Sequence, residues 1–235
     1  MTARYFLESP PAADMVSLSG PEAHHLIHVM RAKTGEQVVL FDGSGAEYVA
    51  TVCRLQSKQA ELEIVERRLP PLVPTLSVTL GVALPKGDRQ KWLVEKLVEL
   101  GVTRLVPLVT QRGVAQPNDS AVERLRRGAI EACKQCGRNH LLEISPGTSW
   151  ATFLTSTSPD HPRFVAHPGG SPLATVLAAP SVPLVFAIGP EGGFTDDEIS
   201  QAQQAGFTPL SLGPLILRIE TAAVLLASLC VARTN

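Results

Sequence analysis

A glycine-rich loop follows an apolar segment in the second half of the chain. Residues Gly189–Gly193 read GPEGG and come directly after the apolar run Leu184–Ile188. Glycines permit unusual backbone angles and let backbone N–H and C=O groups touch a ligand without a Cβ in the way. Thr195 and Glu198 have the spacing of a capping box, which predicts a helix at the exit of the loop. The loop matches neither a Walker A motif nor GxGxxG. It predicts a binding loop of another kind, and a tight strand-to-helix turn is the alternative.

A charged pair lies in a second apolar segment, LSLGPLILRIETAAVLLAS, residues 210–228. A predicted strand ends there at Gly213, and Arg218 and Glu220 precede a long apolar helix. Charges in an apolar segment need partners, because desolvation is costly. The sequence alone leaves open whether Arg218 pairs with Glu220, caps the helix or faces a ligand.

The composition is typical of a globular protein. The chain has 235 residues, of which 44% are hydrophobic and 18% charged. No apolar run approaches the ~20 residues needed to cross a bilayer, and the segment MTARYFLESP lacks the apolar region of an export signal. Four scattered cysteines do not predict a disulfide framework. We therefore expect a cytoplasmic protein with no membrane association.

Two residue pairs have spacings that metal ligands also use. His24 and His28 stand four residues apart, but no third ligand is evident and the HExxH order is absent. Cys133 and Cys136 form a CxxC late in a helical pattern, without a second CxxC or CxxH. We predict no metal site, and we expect these residues to be packing or surface residues.

Charge is distributed unevenly along a chain whose net charge is −1. Residues 86–138 carry eleven Lys or Arg against six Asp or Glu, whereas residues 139–235 carry three against seven. A local basic region on a near-neutral protein favours a specific anionic partner over general adhesion. A solvated helix face is the alternative.

Prolines between Pro70 and Pro74 predict a domain boundary. The preceding residues, 1–72, contain the β-like segments RYFLE, EQVVLFDG, AEYVATVCRL and AELEIVER and one short helix, PEAHHLIHVMRA. Asp42–Gly45 reads as a hairpin turn between two of these strands. Several strands with one small helix predict a small barrel.

Strands and helices alternate in residues 73–235. The strands LSVTLGVAL, RLVPLVT, RFVAH, LVFAI and FTPLSL are separated or followed by helices such as DRQKWLVEKLVELG and AVERLRRGAIEAC. This alternation predicts an α/β domain with a largely parallel sheet, and such sheets bind ligands at the carboxyl ends of their strands. The glycine-rich loop lies at such an end.

Several segments together resemble one family. FAIGPEGGFTDDEI and LGPLILRIETA, with KGDRQKWLVEKLVELGV, IEACKQCGR and HHLIHVMRAKTGE, are similar to the ribosomal RNA small subunit methyltransferase E family of the SPOUT superfamily, nearly end to end. The resemblance implies a PUA-like β-barrel RNA-binding domain over 1–72. It also implies an α/β SPOUT methyltransferase fold over 73–235, with a parallel sheet, a C-terminal trefoil knot and a dimer interface.

The resemblance also implies a function and a set of site residues. The function is methylation of N3 of one uridine in 16S rRNA of the small ribosomal subunit, by a homodimer that uses S-adenosyl-L-methionine. The implied cofactor-binding residues are Gly189, Glu191, Gly192, Gly193, Leu212, Gly213, Ile216 and Leu217. The implied RNA-binding residues are Arg4, His25, Arg31, Lys86, Arg89, Gln135 and Arg138, and the implied catalytic residues are Arg218, Glu220 and Arg112.

The chain departs from the family pattern LGxRILRTETA at two positions, where Leu215 and Ile219 replace Arg and Thr. Two alternatives therefore stay open. One is an RNA-binding module of the same fold with weak or lost catalysis, and the other is a SPOUT enzyme that acts on another RNA position.

The proposed chemistry indicates why charged residues are needed. Methylation at N3 requires loss of the imide proton, and negative charge then spreads over N3 and the two carbonyl oxygens. Arg218, or Arg112 near another strand end, could stabilise this charge as a fixed cation. The helix dipole stabilises Glu220 as an anion, which weakens it as a general base, so we expect it to orient Arg218 or the substrate. The general base is not assigned.

Overall fold

The computed structural model describes residues 2–69, 77–177 and 183–232, and the boundary predicted at Pro70–Pro74 lies outside them. The chain divides into two compact units. Unit 1 comprises Met1–Val73 and Cys133–Leu141, and unit 2 comprises Pro74–Ala132 and Leu142–Asn235. Within the described part of the chain, no helix has the length and apolar character needed to cross a membrane.

Unit 1 is built around a five-stranded sheet. Its strands are β1 (Arg4–Phe6), β2 (Met15–Ser19), β3 (Gln37–Phe41), β4 (Glu47–Leu55) and β5 (Gln59–Arg68), in the order β1-β3-β4-β5-β2. β1 runs parallel to β3 and the other pairs are antiparallel. Strands β3 and β4 form the predicted hairpin across Asp42–Gly45, where Gly43 and Gly45 have positive φ.

Strand β2 is not predicted from the sequence, because its pattern is weak. Only Leu18 of its five residues is buried, so apolar alternation gives little signal. The predicted short helix is present but changes type, because α1 (Gly20–His24) continues into a π-helical turn, His25–Val29. Leu26 from this turn packs with Tyr5, Leu40 and Leu62 in the core of unit 1.

Unit 2 contains a parallel sheet, as the alternation of strands and helices predicts. Its strands are β6 (Val78–Val82), β7 (Arg104–Val109), β8 (Glu143–Ile144), β9 (Thr148–Ser149), β10 (Arg163–Ser171), β11 (Leu184–Ile188) and β12 (Thr208–Leu210). The order is β12-β10-β11-β6-β7-β8, and β9 also pairs with β7. Every pairing is parallel. All five residues of β11 are buried, which explains why its sequence is uninterruptedly apolar.

Helices follow the strands of this sheet. They are α2 (Arg89–Glu99), α3 (Asp119–Cys136), α4 (Trp150–Ser156), α5 (Ala174–Leu177), α6 (Asp196–Gln204) and α7 (Ile219–Ala232). The last turn of α3 belongs to unit 1 and the rest of that helix to unit 2. Helix α7 packs against α2, β6 and β11, and it buries small residues such as Ala223 and Ala227 that allow a close approach. These contacts place the start of α7 beside the carboxyl end of β11.

Candidate functional site

A cavity of about 300 Å³ lies in unit 2 at the carboxyl ends of β10, β11 and β12. Three segments line the cavity. They are residues 166–168 at the bend of β10, residues 188–193 at the end of β11 and in the loop after it, and residues 212–217, 219 and 222 after β12. The volume is at the lower end of the ~300–1,000 Å³ typical of small-molecule sites. Parallel α/β sheets bind ligands at this edge, so the cavity is the candidate ligand site.

The structure brings together all the residues that the sequence analysis assigned to cofactor binding. Two loops that are some twenty residues apart in sequence form most of the lining. The assigned residues that line the cavity are Gly189, Glu191, Gly192, Gly193, Leu212, Gly213, Ile216 and Leu217.

The glycine loop, Gly189–Gly193, is a tight turn closed by a hydrogen bond. The N–H of Gly193 donates to the carbonyl of Pro190 at 2.8 Å. Gly193 has φ +68°, a conformation that L side chains rarely adopt. Gly189 is needed for a different reason, because a Cβ there would lie 3.0 Å from the ring of Phe194. The turn therefore presents backbone groups to the cavity with little side-chain cover.

Glu198 fixes the exit of the glycine loop. Its carboxylate, in a residue only 2% exposed, accepts a hydrogen bond from the N–H of Thr195 at 2.8 Å, and the Thr195 hydroxyl accepts one from the N–H of Glu198 at 3.2 Å. This is the predicted capping box, and it is confirmed. The other carboxylate oxygen accepts from the N–H of Gln111 at 2.9 Å. Glu198 thus joins the turn after β7 to the glycine loop, a function that the capping pattern does not predict.

Arg112, from the same turn, contacts the glycine loop directly. Its Nη1 donates to the carbonyl of Gly192 at 2.8 Å and lies 3.5 Å from the carbonyl of Phe194. The structure shows that Nη1 of Arg112 binds the backbone of the loop. The role predicted for Arg112 as a second cation at the reacting base stays a prediction.

Arg218 is exposed, which corrects the expectation of a buried cation. Its sequence neighbours Leu217 and Ile219 both line the cavity, whereas Arg218 itself is not a lining residue. The segment is apolar in sequence, but its apolar residues are themselves outside the core, since Leu215 is 77% and Ile216 92% exposed. No ion pair joins Arg218 to Glu220 among the described residues.

Glu220 has a different partner. Its residue is 7% exposed, and its Oε2 lies 3.7 Å from Nη1 of Arg89. Nη2 of the same arginine donates to Oε1 of Glu191 at 3.0 Å. Arg89, predicted to bind RNA, therefore contacts two carboxylates. Of the alternatives that the sequence leaves open for Arg218, an ion pair with Glu220 is not present among the described residues.

One wall of the cavity, formed by β10, is not among the site residues predicted from the sequence. The register against β12 shifts between Ala166 and Ser171, which both face Leu210, so His167–Gly170 bulge out. Ala166, His167 and Pro168 line the cavity. A Cβ on Gly170 would lie 2.3 Å from the backbone N of Leu210, so the bend requires glycine. The signal was present as Pro-Gly-Gly directly after RFVAH, at a strand end.

The predicted RNA-binding residues of unit 1 differ in exposure. The Arg4 side chain is only 12% exposed, pairs with Glu47 at 3.2 Å and donates to the Asn139 side chain. Arg4 therefore stabilises the interior of unit 1, and its assignment to RNA binding stays a prediction. Arg31 is exposed, and its φ is +53°. Among the described residues, no other non-glycine residue has a positive φ. His25 is half-buried, with its ring 5.7 Å from that of Tyr5.

The remaining predicted RNA-binding residues lie at the ends of α2 and α3. Lys86 and Gln135 are exposed. Arg138 is half-buried, and this burial lowers the pKa of its guanidinium, against the opposing effects of Cys133 and Cys136. Cys133 and Cys230 are buried, and Cys53 and Cys136 are exposed. Among the described residues, no group of three His, Cys, Asp or Glu side chains could hold a metal ion.

Comparisons with known proteins identify the family and agree with the fold. Residues 73–231 match the model of an RNA methyltransferase domain, and residues 18–65 match that of an RNA methyltransferase PUA domain. The chain is 34% identical over 215 residues to the ribosomal RNA small subunit methyltransferase E of Synechocystis sp., covering 88% of this chain and 69% of that protein.

Two solved structures are also similar over nearly the whole chain. One is a Legionella pneumophila protein in complex with S-adenosylmethionine, with a TM-score of 0.90 at 31% identity, covering 99% of this chain and 98% of the other. The second is a ribosomal RNA small subunit methyltransferase E from Neisseria gonorrhoeae bound to S-adenosylmethionine, with a TM-score of 0.89 at 29% identity. The similarity covers 97% of this chain and 96% of the Neisseria gonorrhoeae chain.

Proposed function

Because the chain belongs to the ribosomal RNA small subunit methyltransferase E family, we propose that it transfers a methyl group from S-adenosylmethionine to N3 of a uridine in 16S rRNA. The observation that carries this proposal is the cavity at the carboxyl ends of β10, β11 and β12, lined by every residue assigned to the cofactor. Unit 1 then corresponds to the PUA-like domain and unit 2 to the SPOUT methyltransferase domain. The resemblance also implies that the trefoil knot lies in the carboxyl-terminal part of unit 2.

The lining of the cavity fits this cofactor. The turns at Gly193 and Gly213 have φ of +68° and +120°, and no atom lies within 4 Å of where their Cβ atoms would be. The two turns therefore leave space beside the loop backbone for a purine and a ribose. Ile188 and Leu217 add apolar surface for a ring.

The chain's own residues then position and stabilise the reacting base. The cofactor, when bound, supplies an electrophilic methyl group on a sulfonium. Arg218 is exposed, follows the lining residue Leu217 and forms an ion pair with no described residue, so we assign its guanidinium to the uracil oxygens, where negative charge develops. Glu220 is buried beside Arg89, which argues against direct proton abstraction by this carboxylate.

RNA docking is assigned to exposed basic and polar residues on each unit. In unit 1 these are Arg31 and Gln135, and in unit 2 Lys86. Anionic backbone binding by such residues depends strongly on salt. Their proposed partner is 16S rRNA within the small ribosomal subunit, in the cytoplasm.

A homodimer is the proposed assembly. Helix α7 is apolar around most of its circumference, and Val224, Leu225 and Leu229 are only partly buried in the single chain. An apolar helix of this kind offers more surface than covering one side of a sheet requires. Sedimentation that gives a monomer at micromolar concentration would contradict this assignment.

The deciding experiment measures cofactor binding and methylation separately. Calorimetry with S-adenosylmethionine tests the cavity, and mapping of N3-methyluridine in 16S rRNA from cells with and without the protein tests the reaction. The expected result is binding together with one uridine whose methylation depends on the protein. Binding without any change in 16S rRNA would point to another RNA target, and RNA binding without cofactor binding would identify a non-catalytic module.

A further inference from the structure

We infer that Arg89 is a positioning residue that holds two walls of the cavity together. Nη2 of Arg89 donates to Oε1 of Glu191 at 3.0 Å, and Nη1 lies 3.7 Å from Oε2 of Glu220. The arginine is at the start of α2, whereas the two carboxylates lie in the glycine loop and in the first turn of α7. One guanidinium therefore joins three elements that are far apart in the sequence.

The two carboxylates belong to different walls of the cavity. Glu191 itself lines it, within the segment that follows β11. Glu220 lies between Ile219 and Ala222, which line it from the segment after β12. The position of Arg89 thus sets the separation of these two segments without contact between Arg89 and the cavity.

Charge explains why the segments need this cation. Oε2 of Glu220 is buried and accepts no hydrogen bond from the described residues, so its charge is compensated by Arg89 alone among the described ion pairs. A buried carboxylate without a compensating cation is strongly destabilising. Removal of Arg89 would also leave the like charges of Glu191 and Glu220 to repel each other. Both effects move the glycine loop away from α7.

An arginine suits this position better than a lysine. The planar guanidinium offers separate nitrogens to two carboxylates, whereas a lysine has one compact ammonium on a flexible stem. We therefore expect Arg89→Lys to keep the contact with one carboxylate and to lose the bridge.

Hydrogen–deuterium exchange of the ligand-free protein tests the positioning directly. Arg89→Met should speed amide exchange in residues 189–195 by about tenfold. The reason is that the variant loses the contact with Glu191, which opposes local opening of this segment. Lys91→Met is the matched control, since Lys91 lies on the same helix, has a side chain that is 76% exposed and, among the described residues, pairs only with Glu95 of its own helix. Unchanged exchange in Arg89→Met would overturn the inference.

A double variant separates positioning from simple charge compensation. Glu220→Gln in the Arg89→Met background removes the uncompensated charge and should restore the melting temperature. Glu191 still lacks the ion pair with Arg89, so fast amide exchange of residues 189–195 should persist. If the double variant recovers both properties, Arg89 only neutralises Glu220 and the inference fails.

A second readout rests on the proposed function. S-adenosylmethionine should bind Arg89→Met about tenfold more weakly than the wild type, and the double variant should not recover this loss. Equal affinity in the wild type and Arg89→Met would contradict the coupling of the bridge to the cavity. A wild-type protein that does not bind the cofactor contradicts the proposed function instead, and the exchange result still decides the role of Arg89.

Discussion

The guanidinium of Arg112 donates a hydrogen bond of 2.8 Å to the carbonyl oxygen of Gly192, which lies 80 residues further along the chain. The contact joins the turn after β7 to the glycine loop after β11, two strands that are separated by β6 in the sheet. Glu198 joins the same two segments through the N–H of Gln111. The loop that lines the cavity is therefore held from outside, by residues that do not line it.

Substitution of Arg112 should act on cofactor affinity. Arg112→Met removes a charged hydrogen-bond donor from the loop backbone, and we expect S-adenosylmethionine to bind about tenfold more weakly. Calorimetry measures this, with Arg127→Met as a control, because Arg127 is an exposed arginine on α3. Normal affinity with slow methyl transfer would show that Arg112 acts on the reacting base instead.

Gly193→Val should abolish binding of S-adenosylmethionine while the fold stays intact. The added side chain has space, since no atom lies within 4 Å of the Cβ position, but φ of +68° is a strained conformation for a β-branched residue. The turn must therefore change its backbone path. Gly35→Val is the matched control, because Gly35 also has positive φ and open space but lies in unit 1. Unchanged calorimetric affinity in a folded Gly193→Val protein would contradict the assignment of this loop.

Arg218→Ala should slow methyl transfer by about a hundredfold or more, as the loss of a preorganised donor for a developing anion does. Because Arg218 is exposed and Glu220 pairs with Arg89, the substitution leaves no buried charge unpaired, and the melting temperature and cofactor affinity should change little. Single-turnover methylation of assembled small subunits, read beside a melting curve, measures both effects. A near-normal rate would refute the catalytic assignment.

The stability of the protein should depend on Tyr5 at high pH. Burial, followed by the charges of Glu22 and Glu36, raises the pKa of the Tyr5 phenol from 10.0 to about 12. The folded state therefore favours the neutral phenol. The resulting contribution of Tyr5 to the free energy of unfolding is fully present below pH 10 and is lost as the pH rises through about 12. Urea unfolding should show that the free energy of unfolding falls faster for the wild type than for Tyr5→Phe between these two pH values. An equal fall in both proteins would contradict the raised pKa of Tyr5.

Local chemistry determined the parts of the site that are continuous in sequence. The glycine loop, the capping box of Thr195 and Glu198, and the strand-to-loop transitions depend on neighbouring residues, and the structure has them where the pattern predicts. The parallel sheet also follows from local periodicity, and with it the edge where the cavity lies. The trefoil knot, the reaction and the substrate are implied only by the family resemblance, because no local pattern encodes them.

Tertiary structure alone decided which charges meet. Arg218 and Glu220 are two residues apart, yet Glu220 pairs with Arg89, and Arg89 also reaches Glu191 across 102 residues of sequence. Arg4, which the sequence assigned to RNA binding, is half-buried and pairs with Glu47 in the fold. The bulge of β10 that forms one cavity wall depends on its register against β12. Burial and partner choice depend on how distant elements pack, so residue type and spacing cannot determine them.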